Sequence, residues 1–328
     1  MELIRGIDKW PGKKKDPLYL ALGNFDGVHR GHQTIIKTAI RRACAAGGSS
    51  AALIFDPHPS MLLRADQPFA LLTDIADRAE LMAELGLDYL IVEPFTAALA
   101  AISPEQFTRL FLKERLAIDG AVIGSDYSFG CGGSGSAATL RHLGEILNFK
   151  VDVCPLLRHG DKIISSSEIR KLLGEGEVEE AAVLLNHYFM RRGRVIRGSG
   201  IGRKAVFPTA NISSLPHLVW PGSGVYLTAV GGFAEGLRFG LTHVGDRPTF
   251  ALKAMGVETH ILDFDGELYA RELSLTFLAR LRPTQMFASA EQLKNQIIAD
   301  RDKAENLIRN RFQNLIKDKK GFDRLWLP

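Results

Sequence analysis

The chain has 328 residues, 46% hydrophobic and 24% charged, with 41 Lys plus Arg against 37 Asp plus Glu for a net charge of +4. That length predicts about two domains, and the composition is that of a soluble globular protein with a real core. The small, unclustered basic excess argues against nucleic acid as a main partner, and no stretch reaches the roughly 18 apolar residues of a membrane-spanning helix.

Three scattered cysteines, Cys44, Cys131 and Cys154, make neither a disulfide framework nor a zinc spacing, which predicts a reducing, cytoplasmic setting. The N-terminus lacks the apolar core of a signal peptide, and Lys13 to Lys15 reads as a solvated loop.

In chain order, Leu18 to Leu22 is an apolar run closed by Gly23, and Gly31 to Ala46 is helix-like with a Gly47-Gly48 stop. Ser50 to Phe55 is a second strand, Thr73 to Leu85 a helix and Tyr89 to Val92 a third strand. Ser103-Pro104-Glu105-Gln106 carries an N-cap, a first-turn proline and a capping-box Gln, opening a helix through Leu116. Ala121 to Ile123 and Phe149 to Val153 complete five strands. Such alternation predicts a parallel sheet with helices on both faces. From about Met190 to Leu281 the pattern changes to Gly, Pro and β-branched residues, with strands at Gly224 to Val230, Val257 to Phe264 and Leu273 to Phe277. That predicts a small antiparallel barrel. From Ser289 to about Lys317, Leu293, Ile297, Ala304, Leu307, Ile308, Phe312 and Leu315 form one helical stripe. The boundary is placed near Asn186, giving domains of residues 1–185 and 186–328.

The segment Gly23-Asn24-Phe25-Asp26-Gly27-Val28-His29-Arg30-Gly31-His32 joins a strand to a helix start. Free N–H groups and the positive dipole end make such a start a seat for phosphate, and Gly27 and Gly31 are read as places where backbone approaches a ligand. His29 and His32, three apart, share a helical face and can donate to oxygens around a reacting phosphorus.

GNFDGVHRGHQ resembles the opening motif of the prokaryotic FAD synthetase module of the HxGH nucleotidyltransferases. The likeness continues through Phe55-Asp56-Pro57-His58-Pro59, Gly124 to Gly130, and Ile164-Ser165-Ser166-Ser167-Glu168-Ile169-Arg170. The resemblance implies that His29 and His32 hold the ATP phosphates, with Asn24 supporting them, and that Ser165, Ser166 and Arg170 contact the triphosphate. His58 and Asp126 would line the same cleft. Other readings stay open: Ser165 with Glu168 also makes a capping box, and His58 could be a plain loop residue. Ser167 stands where the family usually has Thr. The run Cys131-Gly132-Gly133-Ser134-Gly135, read as flexible, stands where the family commonly carries an arginine, which puts the strength of FMN or ATP binding at this site in question.

A second cluster starts at Gly198-Ser199-Gly200-Ile201-Gly202-Arg203-Lys204 and runs into Phe207-Pro208-Thr209-Ala210-Asn211. The glycines can bring N–H groups around phosphates, and Arg203 or Lys204 can add charge. Thr209 and Asn211 point the same way if extended, and their oxygens are hard ligands suited to Mg²⁺. This set resembles the riboflavin kinase domain. The likeness extends through Pro221 to Tyr226, Val244 to Phe250, Val257-Glu258-Thr259-His260-Ile261-Leu262-Asp263-Phe264 and Leu281-Arg282. It implies that Glu258 is the base for the ribityl 5′-hydroxyl. Alternation puts Glu258, His260, Leu262 and Phe264 on one face of that strand. Arg282 is read either as a flavin-phosphate contact or as an exposed loop arginine. Val206 and Ala270 replace glycines common in the family.

The expectation is an α/β, Rossmann-like HxGH nucleotidyltransferase domain followed by a small antiparallel β-barrel riboflavin kinase domain with a C-terminal helix. It would convert riboflavin to FMN and FMN to FAD with ATP and Mg²⁺, in the cytoplasm. Neither nucleic acid nor membrane is expected as a partner, and a homo-oligomer is compatible with the sequence.

Overall fold

The computed structural model describes residues 1–11, 16–64, 66, 69–197, 209–213, 215, 217–247, 254–315 and 326–327. Lys13 to Lys15, Gly198 to Pro208 and Pro248 to Phe250 lie outside the described residues, and with them Gly198, Gly202, Arg203, Lys204 and Val206. The chain divides into two compact units, Met1–Ser166 and Ser167–Pro328.

The first unit is built on β1 (Glu2–Arg5), β2 (Leu18–Leu22), β3 (Ser49–Asp56), β4 (Tyr89–Pro94), β5 (Gly120–Gly124) and, after a short hairpin of β6 (Ser128–Phe129) and β7 (Gly135–Ser136), β8 (Lys150–Cys154). The large sheet has the order β1-β4-β3-β2-β5-β8, and every pairing in it is parallel. All five residues of β2 and of β5 are buried, so both faces of the sheet are covered there. One face carries α1 (Arg30–Ala45), whose Ile35, Ile36, Ala39 and Ala43 are buried. The other packs Phe107, Leu112 and Leu116 against Leu20, Leu22, Leu53 and Ile123. Shorter helices follow the strands: α2 (Pro59–Leu63), α3 (Ile75–Glu84), α4 (Ala97–Ala100), α5 (Pro104–Gln106) and α6 (Ala137–Leu147). The Ser103–Gln106 capping box forms as expected, and α5 runs on as a π-helix from Phe107 to Arg115.

From β2 the chain steps outward to β3 and β4, then returns to β5 and β8 on the other side of β2. The β2–β5 pair is therefore where the winding reverses. Ligands in such sheets bind beyond the carboxyl ends of the strands at that point. Asn24 follows β2, His58 follows β3 and Asp126 follows β5, so all three belong to loops at this end.

A hairpin of β9 (Arg158–His159) and β10 (Lys162–Ile163) leads to α7 (Ser166–Glu175) and α8 (Val178–Leu185). In the second unit six strands close a barrel: β11 (Phe189–Ile196), β12 (Ala210–Ile212), β13 (Gly224–Gly231), β14 (Arg238–Arg247), β15 (Ala254–Ile261) and β16 (Glu272–Pro283). Their order is β11-β12-β15-β14-β13-β16, all antiparallel, with β16 returning to β11. Hydrogen bonds fasten the end of α7 to the barrel: Gly222 N donates to Leu173 O (2.7 Å), and the Arg280 guanidinium donates to Glu175 O (2.8 Å). One face of the barrel sheet carries a buried chain of hydroxyls, Thr228 to Thr242 (2.8 Å) and Thr242 to Thr259 (2.9 Å). The opposite face, with Val225, Leu227, Leu241 and Leu278, packs on Ala304 and Phe312 at the C-terminus.

Three local expectations are corrected. The strand expected over Val257 to Phe264 ends at Ile261, and Asp263 turns at φ 53°. The C-terminal helix, α9 (Ala290–Leu307), continues as a π-turn over Ile308–Phe312, but Leu293 is 36% exposed and does not belong to the buried stripe. The position that completes the stripe is Asp300, 4% exposed and paired with Arg282. Finally, Cys131 to Gly135 is no slack loop. Gly130, Gly132 and Gly133 take positive φ, Cys131 N donates to Ile102 O (2.8 Å), and Ser134 Oγ donates to Cys131 O (2.8 Å).

The first unit also holds a buried polar knot. The Asp26 carboxylate, 2% exposed, accepts from Leu72 N (3.0 Å), Thr73 N (3.0 Å) and Thr73 Oγ1 (3.1 Å). Removing it would leave three buried donors unserved. Asp26→Ala is expected to lower unfolding stability by about 3 kcal/mol in urea denaturation monitored on the first unit.

Candidate active sites

The turn from β2 into α1 bends through three positive-φ residues, Phe25 (50°), Gly27 (84°) and Val28 (43°). Phe25 and Val28 are wholly buried, which offsets the strain of a left-handed backbone at non-glycine residues. Neighbours hold the turn from every side. Gly27 N donates to Thr73 Oγ1 (2.9 Å), Gln33 Nε2 donates to Val28 O (2.9 Å), and the buried Arg78 guanidinium donates to Asn24 O (3.0 Å) and Thr73 O (3.2 Å). Burial pulls Arg78 below the ordinary arginine value, with Asp26 the largest opposing influence.

His29 is the N-cap of α1: its Nδ1 accepts from His32 N at 3.3 Å. An accepting Nδ1 places the proton of the neutral ring on Nε2, which makes that nitrogen a donor. The two imidazoles stack, with centroids 3.6 Å apart and planes 19° apart, and Phe25 meets His32 edge-on at 5.3 Å. The first turn of α1 carries no acidic residue. Gly31 has a packing role as well. A Cβ at Gly31 would stand 3.1 Å from His29 Cε1, so this glycine makes room for the imidazole. Gly27 is required by its φ and is already bonded to Thr73.

Ser166, the last residue of the first unit, donates through Oγ to Asp26 O (2.9 Å) on the same turn. Ser165 lies just before that helix, half-buried, and Arg170 shares a helix face with Ser166. His58 is 8% exposed and caps α2 by accepting from Ser60 N (3.1 Å); its ring stacks on Phe69 at 4.7 Å. Asp126 is exposed. Its carboxylate folds over Gly124, where a Cβ would stand 2.8 Å away.

In the barrel, Asn211 on β12 stands directly opposite Glu258 on β15, and Glu258 directly opposite His243 on β14. Directly opposed residues project from one face with Cβ atoms about 5 Å apart. Asn211 is 8% exposed, Glu258 is half-buried, and Thr209 is exposed just ahead of β12. The expected alternation holds to the strand end: Val257, Thr259 and Ile261 are buried on the opposite face from Glu258. Arg282 is no exposed loop residue. Its Nε reaches both Asp300 oxygens, at 2.9 and 3.0 Å.

Comparison with known proteins follows the same division. A family model for FAD synthetase matches residues 12–168, and one for riboflavin kinase matches residues 185–308. The bifunctional riboflavin kinase/FMN adenylyltransferase of Escherichia coli K12 is 33% identical over 92% of this chain and 96% of its own. The chain belongs to the bifunctional riboflavin kinase/FMN adenylyltransferase family. Relatives so named from Listeria monocytogenes and Bacillus subtilis are 36% and 35% identical, over 89% and 87% of this chain and 92% and 90% of theirs. A solved structure described as a macrolide-efflux protein from Streptococcus pneumoniae shares 27% identity and a TM-score of 0.84, covering 94% of this chain and 99% of that one. Among the described residues no helix here is long and apolar enough to cross a membrane.

Within this family member, sequence reasoning overlooked Asp26 as a structural carboxylate, Arg78, His243 and Asp300. A buried arginine in a helix of unremarkable pattern gives no sequence signal, but His243 directly precedes the Val244 to Phe250 motif and could have been marked. Gly31→Ala is expected to separate packing from function. Alanine favours the helix by about 1 kcal/mol, so the melting temperature should hold or rise. The displaced His29 ring should lower FAD formation from FMN by about tenfold or more, measured by chromatography.

Proposed function

We propose that the first unit adenylylates FMN at the His29–His32 helix start and the barrel unit phosphorylates riboflavin at the Asn211–Glu258 pair. The stacked imidazoles at the winding reversal of the sheet support the first assignment, and the direct opposition of Asn211 and Glu258 supports the second. The latter observation carries most weight, because it joins a metal-type ligand to a base across two strands with no help from sequence proximity.

In the adenylyl step an FMN phosphate oxygen attacks the α-phosphorus of ATP, and the bond to pyrophosphate breaks. No covalent enzyme intermediate is needed, so the residues act by positioning and by stabilising charge. His29 Nε2–H and the His32 ring donate toward the α-phosphate oxygens, and the N-terminal end of α1 adds its dipole. Asn24 supports the turn. Ser165, Ser166 and Arg170 take the outer phosphates, Arg170 with its two-pronged guanidinium. His58 and Asp126 line the mouth of this cleft.

In the kinase step the ribityl 5′-oxygen attacks the γ-phosphorus, Glu258 accepts the hydroxyl proton, and ADP leaves. Gly198, Gly202, Arg203 and Lys204 are assigned to the ATP phosphates, and Arg282 to the edge of the flavin site. Among the described residues no three of His, Cys, Asp and Glu converge on a point that could hold a metal ion. The ion is assigned mostly to ATP phosphates and water, with Thr209 Oγ1 and the Asn211 amide oxygen as its protein ligands. When bound, Mg²⁺ offsets the negative charge that gathers on the phosphate oxygens. The protein is assigned to the cytoplasm, in keeping with cysteines that are all unpaired.

Purified protein given riboflavin, ATP and Mg²⁺ should yield both FMN and FAD, and a chelator should stop both steps. His32→Ala should abolish FAD while FMN accumulates. Glu258→Ala should abolish FMN formation while supplied FMN is still converted to FAD. A folded variant of either kind that lost both activities, each assayed with its own flavin substrate, would refute the division of labour.

A further inference from the structure

One row of side chains crosses the barrel from strand to strand. Asn211, Glu258, His243, Val225 and Arg282 are successive direct neighbours on β12, β15, β14, β13 and β16. Val225 belongs to the cluster that packs on Ala304 and Phe312, so the row lies on the outer surface of the barrel, with its Val225–Arg282 end against the C-terminal helix. The imidazole of His243 leans along β14 over Gly245, where a Cβ would stand 2.7 Å from its Cε1. Gly245 is itself opposite Gly256 on β15. Two facing glycines leave a bare strip beside Glu258, and the ring lies over its Gly245 side.

A glutamate acting as base has three side-chain torsions to fix, and its geometry matters before its basicity. The strand pairing sets only its Cα. We propose that His243 is a positioning residue for the riboflavin kinase reaction, holding the Glu258 carboxylate on the Asn211 side of the row. The inference rests on the reading of Glu258 as the base. It goes beyond that reading by assigning a residue to the flank of Glu258 opposite Asn211.

The charged groups around the ring agree with this role. Burial lowers the His243 pKa from the ordinary histidine value; Glu258 opposes that shift and Arg282 adds to it. The ring is therefore neutral near neutral pH, able to hold a carboxylate without the full charge that would quench it as a base. Arg282, two strands away, is the nearest fixed cation of the row. Asp300 of α9, itself bonded by Gln296 (2.9 Å), balances it.

The test uses the full chain with saturating ATP and Mg²⁺. His243→Val should lower kcat for FMN formation about tenfold or more, with KM for riboflavin changed less than about threefold. His243→Asn, which keeps a donor at the same reach, should recover most of that loss. Both variants should keep the wild-type melting temperature and convert supplied FMN to FAD at the wild-type rate. The His243 imidazole resonance, followed by NMR without substrate, should move in Glu258→Gln. A His243→Val kcat within about threefold of wild type overturns the inference, since misplacing a base costs more than that. So does an Asn variant no better than the Val variant, or an unmoved resonance, and the last remains decisive should the Val variant unfold. If Glu258→Gln itself leaves FMN formation intact, the failure belongs to the base assignment and not to His243.

Discussion

The buried carboxylate of Asp26 is the constraint on which the first unit's chemistry depends. It lies beneath a turn that must reverse the chain between β2 and α1 in a handful of residues, three of them left-handed. Such a backbone persists only when its surroundings over-determine it. The carboxylate ties the turn to Leu72 and Thr73, Arg78 ties it to Asn24, and Gln33 closes it from the helix side. Every one of these bonds is made on the buried side. The imidazoles at the end of the turn thus inherit a fixed origin, and Nδ1 of His29, engaged as a cap, fixes which nitrogen carries the ring proton.

The barrel solves the same positioning problem differently. No knot of buried ions is needed because cross-strand register already decides which residues meet. A slip of β15 by one residue against β14 would send Glu258 to the face occupied by Thr259, into the hydroxyl chain. That chain, running Thr228 to Thr242 to Thr259, guards against the slip, since each hydroxyl finds its partner only in the observed register. Polar satisfaction on one face therefore specifies geometry on the other.

The contrast explains what could be read from sequence. β2 to β5 were legible because strands buried on both faces are near-continuous apolar runs, and the capping box at Ser103 is a four-residue signal complete in itself. The edge strand β1, Glu2 to Arg5, was missed because four alternating residues with one buried side chain give almost no pattern. The helix α6 hides its Ser136–Thr139 capping box behind a glycine run. The histidines, Asn211 and Glu258 were marked as motif members. Asp26 lay inside a quoted motif, yet its partners stand 46 and 47 residues away, and no local pattern announces such a pairing. His243 borders a motif, but the role proposed for it rests on register, which is a property of two strands.

In the proposed assignment Arg170, Arg203 and Lys204 bind phosphates, and cations of that kind hold ground state and transition state alike, which lowers KM without speeding the chemical step. The groups assigned to oxygens where charge grows are directional ones, the helix terminus and the imidazoles of His29 and His32. The ordered turn from Gly130 to Gly135 fits that scheme. Its backbone is bonded to Ile102 and closed as a hairpin, so the absence of an arginine there is not an unfilled gap in a mobile loop. In the barrel, Arg282 is paired with Asp300 of α9, and His243 and Val225 stand between it and Glu258 in the row. The C-terminal helix therefore fixes that guanidinium besides covering part of the barrel.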